Sequence, residues 1–209
     1  MHGVPYVAIS IGFTVNQRPT VGVVLNPFTA QLYSAIDSQG SYLTTLSSDL
    51  SNSVSRSRLP LYPPQALDLP SSVITIEYGS DRQGNNFDVK MSTFINLASH
   101  KGGMVHGLRA YGSAALNLCS VASGYIDAYW EGGCWEWDVC AGWVVLKEAG
   151  GYLVHGNPRM TKDVEEIFEE PDLCGRVYLG VRSGQSKEET AQWIKKFWGM
   201  IGGKLEYSR

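Results

Sequence analysis

The sequence predicts an α/β fold, and three observations support this class. Residues 6–43 alternate apolar and polar side chains, which is typical of antiparallel strands. From residue 71 onward, short apolar runs alternate with segments in which apolar residues recur every three or four positions, as in strand–helix units. The 209 residues are 44% hydrophobic and 18% charged. This composition excludes wholesale disorder and supplies a core for one large domain or two small ones.

The first segment is predicted to be an antiparallel meander of three or four strands. Two runs of alternating residues, at 6–11 and 21–25, flank a turn at 16–19. A third and a fourth strand are expected at residues 31–35 and 41–43. A sheet of this kind must bury one face against another layer, and no helical pattern precedes it. We therefore expect its covering layer to be missing or to come from elsewhere.

Residues 44–70 are rich in serine and then in proline, which predicts a surface loop or linker. We place a domain boundary in this segment. Residues 1–68 are then the remnant of an N-terminal domain, composed of the β meander and the Ser/Pro-rich linker. Residues 69–209 form a C-terminal α/β domain that carries the candidate functional motifs.

The C-terminal segment alternates predicted strands with predicted helices. Apolar spacing and turn residues mark strands at 73–76, 126–130, 152–154 and 177–181, and helices at 87–98, 114–122 and 139–149. Asp138 is expected to open the third helix. Ser186 and Glu189 form the pattern of a capping box at the start of a last helix.

Charge and cysteine content exclude several classes of function. The formal net charge is −3, so we expect no nucleic-acid partner and no binding to an anionic membrane. The four cysteines contain no C-x-x-C pair and the four histidines are scattered, which argues against a disulfide framework or a zinc site. No apolar run reaches the ~18–20 residues of a membrane span, and the N-terminus lacks the pattern of a signal peptide. We therefore expect a cytoplasmic protein with free thiols.

Three short segments place polar groups at the ends of predicted elements, where binding sites on α/β sheets collect. They are Gly112-Ser113-Ala114-Ala115, residues 127–131 and residues 137–142. A helix that opens at Gly112-Ser113 offers backbone amides to an anion or a hydroxyl-rich ligand. Glu131 and Asp138 flank a glycine turn and are placed to face one cavity. Carboxylate oxygens of this kind suit a hard cation such as Mg²⁺.

Each segment also has a simpler structural interpretation. An aspartate at a helix start is most often only an N-cap, and a Gly-Ser pair before an alanine-rich helix is usually a cap with tight packing. A glutamate between aromatic residues and glycines, such as Glu131, is more often an ordinary loop-edge carboxylate. The tryptophans of this region more often belong to the core or to a cavity wall: Trp130, Trp135, Trp137 and Trp143. The residues alone therefore predict a polyol- or phosphate-binding α/β protein.

The combination of these motifs resembles the C-terminal signature of the inositol monophosphatase family. The matching residues are 107–117, Asp127-Ala128-Tyr129-Trp130-Glu131, and Trp137-Asp138-Val139-Cys140-Ala141-Gly142 followed by 148–151. The additional tryptophans and Glu136 are similar to fungal, quinate-cluster-associated members. Residues 5–13 and 22–27 resemble the strands that follow the family's first acidic motif, so the resemblance covers essentially the whole chain.

The resemblance implies a layered α-β-α-β-α sugar-phosphatase-like sandwich, here with the N-terminal helical layer missing. It further implies a Mg²⁺-dependent phosphomonoesterase that hydrolyses inositol or related polyol and sugar monophosphates by a metal-activated water, and a homodimer. In this resemblance Asp138 corresponds to a Mg²⁺ ligand, and Glu131 to a carboxylate that contacts substrate ring hydroxyls. The other substrate-contacting positions it implies are Gly112, Ser113, Ala114 and, by a weaker correspondence, Ser80.

One part of the family pattern is not found in the sequence. The family's Asp-Pro-Ile-Asp-Gly-Thr segment supplies two metal-binding aspartates, a threonine and a phosphate-binding helix start. No Asp-Pro dipeptide occurs here, and the first acidic residue is Asp37. We therefore assign no catalytic residue and expect little or no activity from this chain alone, since one aspartate cannot hold a pair of Mg²⁺ ions. A shortened gene model, a splice form and a fragment all fit this expectation.

Two other hypotheses stay open from the sequence. The chain could be a non-catalytic binding or regulatory protein that keeps the polyol-facing residues Glu131, Ser113 and Ala114. It could also belong to a phosphatase of the same family that acts on other sugar or nucleotide phosphates.

Overall fold

The computed structural model describes residues 3–161 and 163–208 as two five-stranded sheets and five helices. Met1 and His2, part of the segment predicted to lack a signal peptide, lie outside the described residues. The strands are β1 (Ile9–Val15), β2 (Arg18–Asn26), β3 (Gln31–Ile36), β4 (Ser41–Leu46), β5 (Ser53–Arg58), β6 (Val73–Ile76), β7 (Gly107–Arg109), β8 (Ala128–Gly132), β9 (Tyr152–His155) and β10 (Val177–Val181). The helices are α1 (Asn85–Ala98), α2 (Ala114–Ser123), α3 (Glu136–Glu148), α4 (Val164–Ile167) and α5 (Lys187–Trp198).

The first sheet is antiparallel, with the strand order β1-β2-β3-β4-β5. Gly12 of β1 pairs with Gly22 of β2, and both face helix α3. A Cβ on Gly22 would lie 2.2 Å from the carbonyl oxygen of Ala141, and one on Gly12 would lie 2.4 Å from the sulfur of Cys140. Glycine at these two positions therefore lets α3 lie directly on the sheet.

Strand β5 corrects one sequence prediction, because residues 53–58 were expected to be part of the linker. The side chains of the segment are exposed, so no apolar alternation marks it as a strand. Its backbone nevertheless pairs with β4, and the Arg56 guanidinium lies 4.0 Å from the ring centre of Tyr42. Backbone pairing and a cation–π contact can hold an exposed edge strand that has no apolar face.

The second sheet is mixed, with the order β7-β6-β8-β10-β9. Strands β6, β7 and β8 run parallel, whereas β10 is antiparallel to its neighbours β8 and β9. One core cluster joins the inner face of the first sheet to α2, α3 and Tyr129 of the second sheet. A second cluster joins the opposite face, through Trp130, to α1 and α5. The layers therefore run sheet, helices, sheet, helices, as the predicted α/β sandwich requires.

The first sheet has an uncovered apolar face on its edge strand. The exposed apolar side chains of β1 are Ile9, Ile11, Phe13 and Val15. The prediction of an antiparallel meander is confirmed, with five strands in place of the expected three or four, and the layer that covers its inner face comes from α2 and α3. The division into domains at residue 68 stays a prediction.

Helix α3 is held at its C-terminal end by a contact with the first sheet. The Glu148 carboxylate accepts hydrogen bonds from the backbone N–H groups of Ser38 at 2.8 Å and Gly40 at 2.7 Å. These two residues form the turn between β3 and β4, and both have positive φ angles. Because a carboxylate satisfies both amides, the turn is fixed to the last residue of the helix.

All four cysteines are free, as expected. None of the helices in the described ranges is both long and apolar enough to cross a membrane.

Candidate functional site

A cavity of about 670 Å³ opens where the parallel strands β6 and β8 end and the helices α2 and α3 begin. Its lining includes three carboxylates, those of Glu77, Glu131 and Asp138. The lining also contains Tyr6, Val7, Ala8, Ser10, Tyr78, Gly79, Arg82, Gly112, Ser113, Ala114, Ala115 and Cys134. Ligands commonly bind outside the carboxyl ends of parallel strands, so this cavity is the candidate site.

Glu131 is the buried carboxylate of this cavity, with 6% of its surface exposed. It lies near the end of β8, where its two oxygens accept hydrogen bonds from the Tyr129 hydroxyl at 3.0 Å and from the Gly132 N–H at 3.1 Å. The Lys90 ammonium lies 3.7 Å from Oε1. Burial raises the pKa of Glu131 to about 7, and the positive charge of Lys90 opposes that rise.

Asp138 lies in the first turn of α3 and not before it, which corrects the prediction that it opens the helix. The helix begins at Glu136, and Asp138 Oδ2 accepts a hydrogen bond from the Trp135 N–H at 2.8 Å. The side chain therefore reaches back to cap the helix from its third position. The same carboxylate lines the cavity, so the capping and the ligand interpretations are compatible.

Glu77 is a site residue that sequence reasoning missed. Its Oε1 accepts three hydrogen bonds: from the N–H groups of Tyr111 at 2.8 Å and Gly112 at 2.9 Å, and from the Asn117 side-chain amide at 2.9 Å. Its position in the sequence could have indicated it, because Glu77 is a polar residue that directly follows the buried strand β6. The contact also corrects one expectation, since the Gly112 amide is already bound to Glu77 and is not open to a ligand.

The remaining predicted site residues are Ser113 and Ala114 at the start of α2, and Ser80 after β6. Ser113 is the N-cap, and its hydroxyl accepts from the Leu116 N–H at 3.4 Å. Ala114 and Ala115 line the cavity, and N–H groups in a first helical turn have no partner within the helix. Ser80 is exposed and is not among the residues that line the cavity, although Gly79 beside it is. The structure thus brings five of the six predicted site residues to one cavity: Gly112, Ser113, Ala114, Glu131 and Asp138.

The tryptophans divide into two groups. Trp130 and Trp143 are buried in the core, and the Trp130 indole N–H donates to the Gly156 carbonyl at 2.7 Å. Trp135 and Trp137 are 37% and 60% exposed and stack on each other with ring centres 5.3 Å apart. Neither lines the cavity, so their predicted place in a core or cavity wall is wrong.

The acidic residues of the cavity do not by themselves form a metal site. Within residues 3–161 and 163–208, no group of three or more His, Cys, Asp or Glu side chains is arranged to hold a metal ion. Both oxygens of Glu131 accept hydrogen bonds, whereas Asp138 accepts one on Oδ2 and Glu77 accepts three on Oε1, so Asp138 and Glu77 each keep a second oxygen to offer to a cation. Mg²⁺ demands near-octahedral oxygen coordination, and the donor set described here does not complete it.

Comparison with known proteins gives a consistent result. The model of the inositol monophosphatase family matches residues 1–199. The chain is 42% identical over 219 aligned residues to inositol monophosphatase 2 of Saccharomyces cerevisiae, covering 99% of this chain and 65% of that protein. It is 37% identical to protein qutG of Emericella nidulans, covering 100% of this chain and 66% of the relative. The chain thus spans slightly less than two thirds of the length of these curated relatives.

A solved structure of inositol monophosphatase from Anabaena (Nostoc) superposes with a TM-score of 0.67 at 25% identity. The superposition covers 94% of this chain and 65% of that structure. The fold and the sequence comparisons therefore agree.

Proposed function

Because the chain belongs to the inositol monophosphatase family, we propose that it functions in the hydrolysis of inositol or related polyol and sugar monophosphates. In this proposal the cavity between Glu77, Glu131 and Asp138 holds the hydroxyl-rich ring of the substrate. The observation that carries the proposal is the Glu131 carboxylate, which lines the cavity beside the first turn of α2. A buried carboxylate is a strong acceptor for hydroxyl donors, and first-turn amides can donate to a ring oxygen or an anion.

We assign Mg²⁺ as the metal of the reaction and Asp138 as the residue that offers it an oxygen. The family resemblance supports this assignment, as does the position of Asp138 in the same cavity as Glu131. When bound, a divalent cation supplies Lewis-acid stabilisation of the phosphate charge. The described residues do not complete the coordination of Mg²⁺. The role that we propose for this chain is therefore to bind the ring of the substrate.

Ring binding can be tested directly with myo-inositol monophosphate as the probe. We expect it to shift the backbone amide NMR signals of residues 112–115 and 131–133. Glu131→Gln should weaken binding about 10-fold or more, because hydrogen bonds to charged groups are worth about 1.5–3 kcal/mol. Glu165→Gln, a matched change at an exposed glutamate on α4, should leave binding unchanged. Shifts confined to other parts of the chain would refute the assignment of the cavity.

A second candidate function is a non-catalytic polyol-binding protein. The incomplete metal donor set within the described residues favours it. With Mg²⁺ present, we expect these 209 residues to release phosphate from inositol monophosphate at far below the ~1 s⁻¹ of an ordinary enzyme. A rate of that order, abolished by Asp138→Asn, would show that the chain alone is an enzyme and would exclude this alternative.

A further inference from the structure

Lys90 is a fully buried cation next to the candidate site, with 1% of its surface exposed. It lies on α1, and its ammonium group reaches three oxygens. The Gly132 carbonyl is at 2.7 Å, the Tyr78 carbonyl at 3.2 Å and Glu131 Oε1 at 3.7 Å. Buried lysines are rare unless paired, and this one donates hydrogen bonds to two carbonyls and forms an ion pair with Glu131.

The three oxygens belong to two different chain segments that border the cavity. Tyr78 follows Glu77 after β6, whereas Glu131 and Gly132 end β8. Gly79 makes room for the lysine, because a Cβ at that position would lie 2.8 Å from Lys90 Nζ, and the φ angle of Gly79 is +67°. The backbone is therefore shaped around the ammonium group at the point where the two segments meet.

We infer that Lys90 is a positioning residue of the ring-binding site: it ties the end of β6 to the end of β8, holds the Glu131 carboxylate in place and favours its charged form. This inference rests on the proposed function for the use of the site, while the contacts themselves do not depend on it. Lys90 does not line the cavity, so it acts on a ligand only through Glu131 and the two backbone segments.

Lys90 is the cation that pairs with Glu131. Lys90 lowers the pKa of Glu131, whereas the nearby Glu77 carboxylate raises it, and both effects are smaller than that of burial. The Tyr129 hydroxyl and the Gly132 N–H stabilise the charged form by hydrogen bonding. The remaining titratable neighbours are Cys134 and Tyr207. Removal of the Lys90 charge therefore leaves burial opposed only by neutral donors.

The test is a pH titration of the Glu131 carboxyl in the absence of any ligand. The titration is monitored by NMR of chain labelled with ¹³C at glutamate, and the Glu131 signal is identified by its loss in Glu131→Gln. We expect Lys90→Met to raise the Glu131 pKa by ~1 unit or more, a tenfold change in its acid dissociation constant, since a cation at this distance shifts a carboxyl by that amount. Lys90→Arg, which keeps the charge, should give a smaller change. Lys147→Met, which removes a half-exposed lysine paired with Glu170, should give none.

An unchanged Glu131 pKa in Lys90→Met would overturn the inference. If that variant fails to fold, the double variant Lys90→Met/Glu131→Gln decides the matter. Loss of both partners removes the unpaired buried carboxylate, so the double variant should fold where Lys90→Met does not. A double variant that also fails to fold would contradict the coupling. Failure of wild-type chain to bind inositol monophosphate would count against the proposed function alone, because the titration contains no ligand.

Discussion

Replacement of Glu77 by leucine is expected to destabilise the folded chain by about 3 kcal/mol or more. One carboxylate oxygen of Glu77 accepts from two backbone amides and one side-chain amide. Leucine would leave those three donors, of which the Asn117 amide is buried and the two backbone amides are part-buried, without an acceptor. Each unsatisfied buried donor costs about 1–3 kcal/mol. Denaturation in guanidinium chloride, followed by tryptophan fluorescence, gives the free energy of unfolding. The same change should loosen residues 111–113 and weaken binding of inositol monophosphate.

Two milder variants separate the effect of the acceptor from that of the side-chain volume. Glu77→Gln keeps an oxygen at the same distance along the side chain and should be less destabilising than Glu77→Leu. Asn117→Ala removes one of the three donors and should also be milder. A Glu77→Leu chain as stable as the wild type would show that the three hydrogen bonds are replaced by water, and would contradict the role assigned to Glu77.

The free energy of unfolding should depend on pH through Glu131. Burial raises the pKa of this carboxyl from 4.5 to about 7 on folding. Below pH 4.5 the group is protonated in both states, so its stabilising contribution is fully present. Between pH 4.5 and 7 the folded chain binds more protons than the unfolded chain, and stability falls as pH rises. We expect the loss to reach about 3 kcal/mol and to level off above pH 7.

The comparison with Glu131→Gln isolates this contribution from other titrating groups. Stability should be measured by denaturant unfolding at several pH values for both chains. The difference between wild type and variant should shift in favour of the variant as pH rises, since glutamine cannot ionise. A difference that is constant across this range, or that moves in the opposite direction, would show that the Glu131 pKa is not raised in the folded chain.

The sequence alone predicts the class of fold and two acidic residues of the site. Alternating apolar residues and turn residues mark strands β1 to β4. The Gly132-Gly133 turn marks the connection between Glu131 on β8 and Asp138 on α3. Strand β5 could not be predicted in this way, because its stability comes from pairing with β4 and not from an apolar face. The sequence favours a helix start at Asp138 because aspartate is a common N-cap, whereas in the structure Asp138 caps α3 from inside its first turn.

The sequence does not predict Glu77 and Lys90, the two residues that hold other residues of the site in place. Glu77 binds Asn117, which lies 40 residues away on α2. Lys90 on α1 pairs with Glu131, which lies on β8. Their types carry no signal by themselves, because most glutamates and lysines are exposed. Only the fold brings a buried cation and a buried acceptor to the edge of the same cavity.

Helix α3 links the site to the first sheet, and this fixes its permissible length. Asp138 lies at one end beside the cavity, and Glu148 binds the turn between β3 and β4 at the other. Each residue inserted between them would rotate one end relative to the other by about 100° and lengthen the helix by about 1.5 Å. Either the carboxylate would leave the cavity or the turn would lose its acceptor. The interval from Asp138 to Glu148 is thus a molecular ruler, in which substitutions can be absorbed but insertions and deletions cannot.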